Sequence, residues 1–71
     1  MTPEQRIATM RSLVTEIRSA VANALEAVDD AGGAAEPNGI AGSLMVAEIE
    51  LRAALKLVEA AMTIHRTRAT P

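Results

Sequence analysis

The chain has 71 residues, a formal net charge of −2 and no cysteine, so it holds no disulfide framework, no thiolate metal site and no nucleophilic thiol. Hydrophobic residues make up 49% of it, yet Phe, Tyr and Trp are absent, which removes the rings on which single-stranded bases stack. The acidic balance also argues against a general phosphate-binding surface, and a single domain this small, burying only ~60% of its unfolded surface, usually gains stability from a partner subunit.

The opening Met1-Thr2-Pro3-Glu4-Gln5-Arg6 mixes charges and has no apolar run, so it does not read as a signal peptide. No uncharged apolar stretch approaches the ~20 residues that span a bilayer. The expectation is a soluble, cytoplasmic chain with no membrane partner.

Helix 1 is predicted over residues 3–31. Thr2 serves as N-cap, Pro3 suits the first helical position, and Gln5 stands at the spacing of a capping box. Large apolar residues then recur as Ile7, Met10, Val14, Ile17, Val21, Ala24 and Val28, in steps of 3 and 4 that mark a heptad seam. Leu13 and Leu25 widen that seam on its two sides.

The pattern breaks at Asp29-Asp30-Ala31-Gly32-Gly33, and Pro37 opposes simple continuation, which predicts a loop over 32–39 with Gly32 as the C′ residue. Helix 2 is predicted over 40–67, capped by Asn38 or Ser43. Its charged residues Glu48, Arg52, Lys56, Glu59 and Arg66 share one narrow face, on which Glu48–Arg52 and Lys56–Glu59 are spaced to pair. Leu44, Val46, Ile49, Leu51, Leu55, Leu57, Val58, Met62 and Ile64 occupy most of the remaining circumference. One partner helix covers only a stripe, so this arc calls for neighbours on more than one side.

The fold expected is therefore all-α: an antiparallel two-helix hairpin that dimerises into a four-helix bundle. Val14, Ile17, Val21, Leu44, Leu51, Leu55, Val58 and Met62 are the residues expected at the interface between copies.

Little in the chain suggests catalysis. No paired carboxylates project inward from one face, no serine stands near the lone histidine in a triad-like arrangement, and Gly32-Gly33 and Gly39-x-x-Gly42 flank no strand that would make them a phosphate loop. No enzyme activity, cofactor or metal is expected. His65, near the helix end, reads as a dipole partner, and Arg66 with Arg68 as a basic tail. Glu50 interrupts the apolar arc: it lies either at a wet rim or opposite a pairing partner on another subunit or protein. Arg11 and Arg18 flank the helix 1 seam one heptad apart, where they solvate its edge or steer an acidic partner.

The Gly-Gly connection and the segment Ala47-Glu48-Ile49-Glu50-Leu51-Arg52-Ala53, preceded by a long first helix, resemble the small TraM-type antiactivators of quorum sensing, including the QseM-like proteins of mobile symbiosis elements. The resemblance implies an oligomeric all-α protein that binds a LuxR-type transcription activator and prevents it from binding DNA. Arg11, Arg18, Ile49, Glu50, Leu57 and Ile64 are the residues expected to meet such a partner, the last two and Ile49 from the side of helix 2 least needed by the hairpin. The rival expectations are a Rop-like bundle that binds nucleic acid, disfavoured by the alternating charge of helix 2, and a structural or scaffold subunit.

Overall fold

Both helix starts follow from local chemistry. In the computed structural model, which describes residues 1–67, the Gln5 backbone N–H donates to Thr2 Oγ1 at 3.1 Å while the Thr2 N–H donates to Gln5 Oε1 at 2.9 Å. This closed capping box, with Pro3 in the first turn, starts helix α1, Pro3–Gly33. Helix α2 runs Pro37–Thr67, and the two helices pack along their length as a hairpin. Arg68, the last residue of the expected basic tail, lies outside the described residues.

The connection is shorter than the sequence suggests: the expected loop over 32–39 contracts to residues 34–36. No glycine adopts a positive φ, so neither Gly32 nor Gly33 forms a left-handed cap and α1 runs through both. It stops where Ala34 turns extended (φ −74°, ψ 139°), its N–H donating to the Ala31 carbonyl at 3.3 Å. Pro37 opens α2 instead of breaking it, because a first-turn N–H has no intrahelical acceptor to lose. The Glu36 carbonyl accepts from the Ile40 N–H at 3.1 Å, so Glu36 takes the capping position expected of Asn38 or Ser43. Asn38 lies in the first turn and Ser43 is half-buried inside the helix.

The seam between the helices also differs in phase from the expected one. The buried residues are all alanines: Ala20, Ala24, Ala27 and Ala31 of α1, and Ala47, Ala54 and Ala61 of α2. Half-buried Met10, Leu13 and Ile17 continue the α1 column toward its N-terminus in the same alternating steps of 3 and 4. Ser43, Glu50, Leu57 and Ile64, also half-buried, interleave with the α2 alanines. Ile7, Val14, Val21 and Val28, expected in this seam, are instead 46–57% exposed, and Leu25 is 60% exposed. Alanine columns on both helices let the backbones approach more closely than valine or isoleucine would, which leaves the larger side chains no room between them.

The result is a thin rod. Its principal extents are 56 × 16 × 10 Å, and its radius of gyration is 16.3 Å. A compact domain of this length has a radius of gyration of roughly 11 Å.

Gly42 and Gly39 separate helix propensity from close packing. A Cβ at Gly42 meets nothing within 4 Å, whereas one at Gly39 lies 3.3 Å from the Ala34 Cβ. Gly42→Ala is expected to raise stability by about 0.5–1 kcal/mol. Gly39→Ala is expected to gain less or to lose stability, because its methyl group crowds the connection. Urea midpoints of the two variants check the ordering.

Candidate functional site

The seam fixes what the remaining large residues do. On α1, Ile7, Val14, Val21 and Val28 each lie one residue after a seam level or its continuation, and Leu44, Leu51 and Val58 of α2 follow Ser43, Glu50 and Leu57 in the same way. In an antiparallel hairpin these two stripes fall on the same side. Val28 of α1 indeed shares one shallow depression with Leu44, Leu51 and Leu55 of α2. Leu55 and Met62 extend the α2 stripe outward, and Leu25 extends that of α1. On α2, Leu44, Leu51, Leu55, Val58 and Met62 remain 39–57% exposed. The hairpin therefore presents an apolar face along its whole length.

Its opposite flank differs. The corresponding α1 positions on the other side of the seam are Thr9, Glu16, Asn23 and Asp30, all polar and none buried. On α2, Val46 and Ile49 are 50% and 63% exposed there, a smaller apolar pair outside the main face, while Met45, 64% exposed, borders a depression with Leu44 and Glu48 at the edge of that face.

The elongated shape shows in the surface area. The chain exposes 5418 Å², whereas a compact monomer of its 7.4 kDa exposes roughly 4,200 Å². The excess, about 1,200 Å², exceeds the roughly 800 Å² that one partner contributes to an interface of standard size.

Of the residues expected between copies, Val14, Val21, Leu44, Leu51, Leu55, Val58 and Met62 are all exposed and share the apolar face. Ile17 does not; it is half-buried in the intrachain seam. Leu57 and Ile64, expected on the side least needed by the hairpin, are also half-buried seam residues, because the seam falls one residue earlier on the heptad than the large side chains suggest. Ile49 alone of that trio points outward. Arg11 and Arg18 are exposed at the edge of the α1 stripe, and Arg11 borders a depression with Glu4, Ile7 and Ala8. His65 is exposed in the last turn of α2, at the end of the Leu44–Leu51–Val58 stripe.

Glu50 is half-buried at a seam level between Ala47 and Ala54, and no hydrogen bond or ion pair to it forms among the described residues. Of the two expected pairs on α2, Glu48–Arg52 forms at 3.2 Å, with both side chains well exposed, and is worth a few tenths of a kcal/mol. Lys56–Glu59 is not an ion pair in this structure.

Folding also exposes a charge distribution that the face-by-face reading of α2 overlooks. Between Ser19 and Leu51 the sequence contains six carboxylates (Glu26, Asp29, Asp30, Glu36, Glu48 and Glu50) and neither lysine nor arginine. All seven Lys and Arg residues lie outside that segment, with Glu4, Glu16 and Glu59. Because 18 and 52 are the midpoints of α1 and α2, the hairpin gathers the acidic segment into the half next to its connection. That half carries a formal −6, and the described residues of the open half carry +3, counting Arg18 and Arg52 at the midpoints. The signal was present in the sequence as a run without basic residues, but its meaning depends on the chain doubling back.

Among the described residues no helix is long and apolar enough to cross a membrane, and no group of three or more His, Asp or Glu is placed to hold a metal ion. No protein-family model matches the chain, and comparison with curated proteins and with solved structures returns no match.

Half-burial without a partner among the described residues makes Glu50 a rim residue of the free hairpin. Glu50→Gln and Glu50→Ala are each expected to lie within about 0.5 kcal/mol of the parent chain. Chemical denaturation at low protein concentration measures this, and a loss of 2 kcal/mol or more would show that the carboxylate has a partner on another chain.

Proposed function

We propose that this chain is a small regulatory protein-interaction module that pairs with itself through its long apolar face and captures a transcription activator. The observation that carries the reading is the alanine seam: the hairpin closes with its smallest side chains and leaves ten large apolar residues exposed along one face. A soluble monomer rarely keeps a continuous apolar surface on that scale. Two hairpins joined by these faces make a four-helix bundle, the simplest arrangement that covers both.

Capture then falls to surface that self-pairing leaves free. Val46 and Ile49 lie off the main face and stay available in such a dimer. The resemblance of the Ala47–Ala53 segment to TraM-type antiactivators supports a LuxR-type activator as the partner and loss of its DNA binding as the result.

Self-pairing and capture are separable by substitution. Leu51→Asp places a charge at the centre of the apolar face and is expected to convert the assembly to monomer in sedimentation, ending any rise of thermal midpoint with protein concentration. Ile49→Asp is expected to leave sedimentation unchanged while weakening capture at least tenfold. Capture is measured by adding the protein to a LuxR-type activator and following promoter binding in a gel-shift assay. An activator that binds its promoter equally well with excess hairpin present would overturn the capture reading.

A further inference from the structure

The apolar face extends from Ile7 and Met62 at the open end of the rod to Val28 and Leu44 beside the connection. Its apolar character by itself does not decide how a second copy lies on it, since two such faces cover one another with their connections at the same end or at opposite ends. The charge distribution decides. We propose that the second copy docks antiparallel, with the acidic, connection-bearing half of each hairpin over the basic, open half of the other. This rests on the self-pairing proposed above and adds its orientation.

A parallel pair lays a formal −6 half over a −6 half and one net-positive half over another, whereas the antiparallel pair sets −6 over +3 at both ends. Helices packed across the interface are separated by about 8–10 Å, so charges that border the face lie within the roughly 10 Å over which exposed charges act at 0.1 M salt, whereas Glu16 and Asp30 on the opposite flank contribute less. The antiparallel arrangement has its twofold axis across the middle of the rod, so α1 faces the second copy's α1 and α2 faces its α2. Counting 1.5 Å per residue from the helix midpoints, Glu48 then comes level with the second copy's Lys56, and Arg11 lies within about 2 Å of the level of its Glu26. In the parallel arrangement α2 faces the second copy's α1, and the acidic levels coincide. Arg18 sits at the midpoint and meets an arginine level in both arrangements, so it does not discriminate. The elongated rod exposes about 1,200 Å² more surface than a compact chain of its mass, so its shape leaves room for an interface of standard size.

The absence of cysteine makes the orientation directly testable. Leu44 and Met62 lie on the face near opposite ends of α2, 8 and 10 residues from its midpoint, and the antiparallel axis brings one copy's Leu44 close to the other's Met62. Val28 lies beside Leu44 at the connection end, where the parallel axis would bring the two together across the interface. Leu44→Cys is mixed with a mass-tagged Met62→Cys and, separately, with a tagged Val28→Cys, and each mixture is oxidised. The expected product is a mixed disulfide with Met62→Cys and none with Val28→Cys. Sedimentation of the unaltered chain gives a second readout free of substitution: the dimer is expected to dissociate several-fold more readily as sodium chloride rises from low to high concentration. Linking to Val28→Cys, linking to neither, or a dimer strengthened by salt overturns the orientation while leaving self-pairing intact. A chain that sediments as a monomer at every salt concentration overturns both.

Discussion

Everything distinctive about this molecule depends on the small side chains that line the seam of a helix pair. Ala20, Ala24, Ala27 and Ala31 line the connection half of the α1 seam, Ala47, Ala54 and Ala61 alternate with Ser43, Glu50, Leu57 and Ile64 along that of α2, and no large side chain is fully buried between the helices. A buried methyl group contributes roughly 0.8 kcal/mol, while fixing the backbone of one residue costs about 1–2 kcal/mol. A hairpin of two 31-residue helices therefore gains little from this seam alone. What the seam provides is geometry: a close approach that makes a rod one helix thick, keeps Met10, Leu13, Ile17, Leu57 and Ile64 half-buried, and sends the other bulky apolar residues elsewhere.

The displaced residues do not scatter. Each helix carries a second heptad stripe one residue beyond its seam, and the antiparallel turn puts the two stripes side by side. The three-residue connection helps hold them there. With Ala34 extended, Pro37 opening α2 and Gly39 within close contact of Ala34, the second helix leaves the turn with little freedom of direction. A longer loop would permit the helices to slide or rotate, and a rotation of one residue would exchange the alanine column for the valine stripe.

The same turn gives the charges their meaning. In the linear chain, the carboxylates from Glu26 to Glu50 form a broad central stretch, and the basic residues lie on both sides of it. Folded, the centre of the chain becomes one end of a 56 Å rod and its flanks become the other. Apolar contact supplies the attraction between surfaces of this kind, and the charge gradient along the rod supplies its direction.

Much of this architecture was legible in the residues themselves. Thr2, Pro3 and Gln5 fixed the start of α1, the steps of 3 and 4 declared two long amphipathic helices, and the surplus of apolar residues on α2 signalled a surface beyond the needs of one hairpin. These are local or single-helix properties, set by backbone hydrogen bonding and by the 3.6-residue turn. Three features were not legible. Gly32, Gly33 and Pro37 read as breakers, yet their roles depend on whether a left-handed cap forms and on which residue accepts the first bond of α2. Leu57 and Ile64 read as outward-facing, and Ile17 as part of both the α1 seam and the interface between copies, because large side chains draw attention when a seam is inferred, whereas the choice of seam is settled by how closely two backbones can approach. The grouping of charge along the rod needed the turn to be in place before any sequence interval had a position in space. The sequence by itself determined the helices and the existence of an apolar excess. Only the tertiary structure decided which stripe each helix turns inward and which it leaves exposed, because that choice is made by the fit between two surfaces and not by the periodicity of either one.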